Sequence, residues 1–205
     1  MCANFETLVS PAELLRLYGL KAPPEYYESA NLRPDNAVLT IDRQGAAMKR
    51  WGLKAAWDNR LIINARSETV AQKASFRPLL ERRCLIPATG WFEWQAVPNA
   101  RRKRKHRLQP VAQGSFCFAG LSDGERVVML TRAPSPDIAH VHDRMPVVLA
   151  RQDEARWIDP AARFDQVRKV LDATGAAYRA DPLQETPPTR PAQVDLFDWE
   201  RPAKS

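Results

Sequence analysis

The chain has 205 residues, 44% of them hydrophobic, enough for one domain with a real core. Its 31 basic and 24 acidic residues give a formal charge of +7, but six positive charges sit together at Arg101, Arg102, Lys103, Arg104, Lys105 and Arg107, so overall charge alone does not mark a nucleic-acid binder. Cys2, Cys84 and Cys117, an odd number with no short pair spacing, exclude a disulfide framework and a cysteine-rich zinc site, and no apolar run reaches the roughly 18 residues of a membrane span.

In chain order, Ser10 with Glu13 reads as a capping box, and Pro11 suits the first position of a short helix that stops at Gly19. Residues 20–36, with Pro23, Pro24 and Pro34, read as an irregular connection. Strand-like runs follow at Ala37–Ile41, Met48–Leu53 and Leu61–Ala65, then short helices at Ser67–Gln72 and Phe76–Glu81. Arg83–Gln95 is strand-like around Pro87, and the basic stretch 98–110, bracketed by Pro98 and Pro110, reads as a long loop. Ser115–Leu121 and Arg126–Thr131 form a hairpin about the Asp123-Gly124 turn, Pro146–Leu149 is a strand, and Asp153–Ile158 and Phe164–Ala173 are helices. Many short strands with short helices between them predict an α+β domain over residues 2–180, mainly antiparallel. A Pro-rich disordered tail is expected over 181–205.

Cys2 carries chemistry because of where it stands. Trimming of Met1, usual before a small side chain, leaves one residue with a thiol and a free α-amine. The amine condenses with an aldehyde to an imine, and the thiol then closes a five-membered thiazolidine in an intramolecular step. An α-amine of ordinary pKa, roughly 7.7–8.0, is partly neutral at physiological pH and needs little activation. Asn64 and Arg66, two apart on an extended run, share a face. That pair either holds a carbonyl or phosphate or is an ordinary strand end. Glu93, within Gly90-Trp91-Phe92-Glu93-Trp94, is either a desolvated proton shuttle or a solvent-facing edge residue. His140 and His142 lack a third ligand for a metal, and His142 suits an acid or base role near Cys2.

Cys2, the Asn-x-Arg-x-Glu segment from Asn64, the Gly-Trp-Phe-Glu-Trp segment and His142-Asp143-Arg144-Met145-Pro146, in this order, resemble the SRAP family, the SOS-response-associated peptidase proteins. Asn31 with Pro34, Arg50-Trp51-Gly52-Leu53, Arg83 to Ala88 and Thr131 extend the resemblance to about residue 175. It implies a compact domain with a mainly antiparallel, barrel-like core and short flanking helices. It also implies binding of single-stranded DNA and covalent bonding to the aldehyde of an abasic deoxyribose in the DNA-damage response, with lyase activity accessible from the imine and no cofactor. By the same resemblance Cys2 is the nucleophile, Asn64 holds the N-terminus and sugar, Glu93 shuttles protons, and His142 assists sugar opening or reversal. Arg66 and Arg144 are expected on DNA, and Trp51, Trp57 and Phe76 are candidates for base stacking or core packing. The family usually continues Met-Cys-Gly-Arg, where this chain has Ala3 and Asn4. The basic run 101–107 could supply the missing phosphate contact.

In the tail, Gln193-Val194-Asp195-Leu196-Phe197 resembles the peptide by which bacterial repair proteins bind the replication sliding clamp, with Gln193, Leu196 and Phe197 as anchors. The competing readings are a cysteine peptidase, acting at least on Met1, and a non-covalent single-strand binding module. A reduced, cytoplasmic, nucleoid-associated protein without membrane contact is expected on each.

Overall fold

The structure, a computed structural model, describes residues 2–184 except 23, 56–57, 99, 113 and 173–175. In chain order the elements are β1 (Phe5–Thr7), α1 (Pro11–Tyr18), β2 (Ser29–Leu32), β3 (Ala37–Asp42), β4 (Gly45–Trp51), β5 (Leu53–Ala55), β6 (Asp58–Ile62) and β7 (Asn64–Arg66). They continue with β8 (Arg83–Ala88), β9 (Gly90–Gln95), β10 (Arg104–Pro110), β11 (Phe116–Ser122), β12 (Arg126–Arg132), β13 (Met145–Pro146), α2 (Arg151–Trp157), α3 (Phe164–Val167) and β14 (Tyr178–Pro182).

Strands β11, β8, β3, β4 and β12 are hydrogen-bonded in that order, and β11 pairs again with β12, so this sheet closes on itself. Closure removes the unpaired edges that an open sheet exposes. A second sheet runs β14-β10-β9-β1-β2. Pairing is antiparallel except where β12 meets β4 and β7. Two buried clusters fill the interior. One holds Cys2, Phe5, Trp51, Trp91 and Phe118; the other lies under the helices around Leu14, Phe76, Trp157 and Phe164. Arg83 ties the α2 end to the barrel: its guanidinium donates to the carbonyls of Leu80, Trp157, Asp159 and Ala162 and to Glu81. A buried cation is tolerable only when its donors are spent in this way.

Helix α1 starts and stops where the sequence marks it, with the Ser10 half of the expected capping box formed. The Ser10 hydroxyl accepts from the Glu13 N–H at 3.2 Å, and Gly19 takes a left-handed conformation with φ of 58°. The two stretches expected as helices around residues 70 and 78 are single 3₁₀ turns, Val70–Gln72 and Arg77–Leu79. Two expectations need correction. Residues 20–36 are not wholly irregular, since β2 pairs with β1. The basic stretch is not one long loop either, because Arg104–Pro110 is a strand paired with both β9 and β14. Its charges hide an alternation in which His106 and Leu108 are buried. Lys105 and Arg107 keep their stems on the other face, where Lys105 Nζ lies 4.2 Å from the Phe92 ring centroid and Arg107 pairs with Glu6. Regular structure also runs through Pro182, two residues past the expected domain end. No helix among the described residues is long and apolar enough to cross a membrane.

β1 is only three residues long, yet all three are buried and it pairs on both sides, with β2 and with β9. Phe5 anchors it, edge-on to Trp51 at 5.1 Å and to Phe118 at 5.7 Å. Phe5→Ala is expected to cost about 3–5 kcal/mol in denaturant unfolding. An unchanged midpoint would mean that the N-terminal segment contributes nothing to the core.

Candidate functional site

Anchoring of β1 places the chain end against β7 and β9. Asn64 Nδ2 donates to the Cys2 carbonyl at 2.7 Å. The Asn4 carbonyl accepts from Phe92 N–H at 2.9 Å. The Asn4 side chain, fully buried, donates to Asn31 Oδ1 at 2.7 Å and to the Leu32 carbonyl at 3.2 Å. Asn4 is a tie between β1 and β2, a role the sequence did not suggest. The Cys2 thiol lies 3.6 Å from the Asn4 carbonyl. Its pKa is raised, first by burial and then by the negative charge of Glu93, so it is a thiol and not a thiolate at neutral pH.

Alternation along β9 turns Glu93 to the same side as the fully buried Trp91. Glu93 is 3% exposed, and burial pushes its carboxyl up to about 7, with Asp143 adding to the rise. The solvent-facing alternative for Glu93 is thereby excluded. His142 Nε2 lies 3.8 Å from Glu93 Oε2. On the other side of the ring, Nδ1 accepts from the Arg144 backbone N–H at 3.0 Å and lies 2.8 Å from Asp143 Oδ1. Burial, above all, lowers the His142 pKa, so the ring is neutral at pH 7. Nδ1 thus meets a donor, the Arg144 N–H, and an acceptor, the Asp143 carboxylate, while Nε2 faces Glu93. A proton gained at Nδ1 has Asp143 as its acceptor. Asn64, Cys2, Glu93 and His142 therefore converge on one constellation, with Cys2 and Glu93 buried and Asn64 and His142 half-buried.

The loop that carries His142 is pinned from two sides. Gln95 Nε2 donates to the His140 carbonyl at 3.2 Å, and Gln95 Oε1 lies 3.0 Å from His106 Nε2. Arg144 makes a two-pronged pair with Glu68 at 2.7 and 2.8 Å and donates to the Thr131 carbonyl at 2.8 Å. Gln95, His106 and Asp143 were missed by sequence reasoning. Only Asp143, adjacent to His142, gave a local signal.

The expected DNA contacts fare unevenly. Arg66 is exposed at the end of β7, beside Asn64 and on its face. Arg144 commits its guanidinium to Glu68 and Thr131, which suits it to hold the His142 loop rather than to reach a phosphate. Trp51 and Phe76 offer no ring face to a base. Trp51 is fully buried with its Nε1–H on the Ile63 carbonyl at 2.9 Å. Phe76 lies in the other buried cluster. Trp57 and the tail residues Gln193, Leu196 and Phe197 lie outside the described residues.

A family model described as SOS response associated peptidase (SRAP) matches residues 1–186. The chain is 35% identical over 214 residues to the abasic site processing protein YoqW of Bacillus subtilis, covering 91% of this chain and 95% of the relative. It is 29% identical over 176 residues to the abasic site processing protein YedK of Escherichia coli, covering 77% and 79%. Among solved structures, a phage-related protein of Bordetella bronchiseptica matches with a TM-score of 0.76 at 23% identity, over 90% of this chain and 95% of that one. That likeness shows the fold.

The raised carboxyl has a stability consequence of definite sign. Folded Glu93 keeps its proton up to about 7. The unfolded chain loses that proton near 4.3, so stability falls as pH rises between these values and levels above them. Glu93→Gln removes this loss and is expected to stabilise the protein by roughly 3 kcal/mol at pH 8, and by little at pH 4. Paired urea titrations at the two pH values measure the difference. A gain that is equal at both would show that Glu93 titrates normally.

Proposed function

The chain belongs to the SOS response associated peptidase (SRAP) family, and from that premise we propose that it captures abasic sites in single-stranded DNA by a covalent bond to Cys2. The observation that carries this reading is the fixed Cys2 carbonyl, held by Asn64 at 2.7 Å, next to a carboxyl poised near neutrality. Relatives named as abasic site processing proteins support the substrate class.

The reaction needs the Cys2 α-amine, which is tied up in a peptide bond until Met1 is removed. His142, its pKa lowered by burial, is placed to assist opening of the sugar hemiacetal to the free aldehyde. The amine adds to C1′, and the resulting hydroxyl leaves as water on taking a proton from the Glu93 carboxylic acid. The thiol then adds to the iminium carbon, its proton returning to the Glu93 carboxylate while the C=N electron pair passes to the ring nitrogen, which already carries its hydrogen. Aldehyde and aminothiol thus become thiazolidine and water, with no change of oxidation state. A carboxyl half-protonated near 7 serves both steps, giving a proton in one and taking it in the next. The exposed Arg66 suits a flanking phosphate. The imine on this route also opens β-elimination, the chemistry of an abasic-site lyase. Clamp binding through residues 193–197 would bring the protein to replicating DNA, a reading supported by the tail sequence.

The peptidase reading asks for a thiolate that attacks an amide, and burial together with the Glu93 charge works against that. Cys2→Ala separates the readings, since it keeps the amine and removes ring closure. On an oligonucleotide with one abasic site, the variant is expected to lose the denaturation-resistant adduct and to yield one only after borohydride reduction of the imine. Asn64→Ala is expected to slow adduct formation about tenfold, the value of one hydrogen bond. Undiminished adduct from Cys2→Ala without reductant would remove Cys2 from the chemistry.

A further inference from the structure

A cavity of about 640 Å³ lies away from the crosslinking constellation, between the β3–β4 hairpin, the β11–β12 turn and the segments around Glu81 and Pro160. On β12, Met129 is the register partner of Asn64, whereas Arg126 begins the strand at the cavity end. Three residues of strand between them correspond to about 10 Å.

Lys49, on β4, is the unusual group there. Its side chain is 10% exposed, although lysine is rarely buried unless it is paired. Among the described residues its one short bond is to Ser122 Oγ, at 3.0 Å. The Asp42 carboxylate, at 3.9 Å, is beyond hydrogen-bond distance. Ser122 is itself committed: its hydroxyl donates to the Arg126 carbonyl at 2.9 Å and accepts from Gly124 N–H at 3.0 Å. An ammonium has three hydrogens, so Lys49 is held in place with donors left to spend on the cavity. Arg43 and Arg82 stand exposed among the lining residues, Arg82 braced by the Asp123 carbonyl at 2.9 Å.

The acidic groups lining the same space are partly occupied. Asp42 Oδ1 accepts from Gln44 N–H, and Glu81 accepts from Arg83 and from Phe164 N–H. Arg43, Lys49, Arg82 and Arg83 against Asp42 and Glu81 leave a formal excess of two positive charges among the lining groups. A phosphate monoester carries about −1.5 to −2 at pH 7 and matches that excess, whereas a phosphodiester carries half as much. The volume lies within the roughly 300–1,000 Å³ of small-ligand sites, large enough for a nucleotide.

We propose that this cavity is a phosphomonoester site with Lys49 as its buried cation and Arg43 and Arg82 at its mouth. The ligand is either a free nucleotide or the 5′-phosphate end of a DNA strand. The site is independent of Cys2 chemistry and stands or falls apart from it.

The test is calorimetric titration of the whole protein with deoxyadenosine monophosphate, with deoxyadenosine, and with one oligonucleotide bearing a 5′-phosphate or a 5′-hydroxyl. The monophosphate is expected to bind and the nucleoside not. Lys49→Met, close in volume, and the surface change Arg82→Glu should each weaken binding about tenfold or more. Crosslinking to an abasic oligonucleotide should be unchanged in both variants. A Lys49-dependent preference for the 5′-phosphate oligonucleotide assigns the DNA end as ligand; equal binding of the two oligonucleotides assigns the free nucleotide. If neither phosphorylated probe outbinds its dephosphorylated counterpart, or if binding survives both substitutions, the proposal is overturned.

Discussion

Asn64 Nδ2 on the Cys2 carbonyl is the contact on which the rest of the site depends, because it immobilises the part of a chain that usually frays. As the terminal nucleophile of the proposed reaction, Cys2 would have no flanking element on one side, so its position must come entirely from the other. Here that support is layered. Phe5 locks β1 against Trp51 and Phe118, Asn4 ties it to β2, β9 pairs along it, and Asn64 fixes the last peptide. Each layer is modest alone. Together they hold Cys2 with the reproducibility that the proposed intramolecular ring closure would reward.

Burial is both the cost and the means of the chemistry. It drives the Cys2 thiol up, away from thiolate, and so argues against simple nucleophilic attack by sulfur. The same burial brings the Glu93 carboxyl to about 7, where it can serve as acid and as base in one turnover. His142 is kept neutral and oriented by its own loop, which Arg144, Glu68 and Gln95 hold from outside.

Much of this was legible where local signals agreed. Ser10, Pro11 and Gly19 marked α1, and Asp123-Gly124 marked the β11–β12 turn. Cys2, Asn64, Glu93 and His142 stood out by residue type and by an ordered resemblance, although only the fold could show that they meet. The misses have physical causes. β1 and β2 are too short for a periodicity to register, and the alternation of His106 and Leu108 was masked by the surrounding lysines and arginines. Whether an aromatic ring stacks on a base or fills a core depends on partners far along the chain. Trp51 is claimed by Phe5, and no local pattern says so. Arg144 looked like a DNA contact until Glu68, remote in sequence, took both arms of its guanidinium.

The central claim is that one terminal residue supplies both nucleophiles. Peptide mapping by mass spectrometry of wild-type protein after reaction with abasic single-stranded DNA tests it most directly. The account predicts that the protein has lost Met1 and that the DNA-derived mass sits on the tryptic peptide Cys2–Arg16, bound through a residue with neither free amine nor free thiol. Adduct on a protein that retains Met1, or on a lysine elsewhere in the chain, would contradict it.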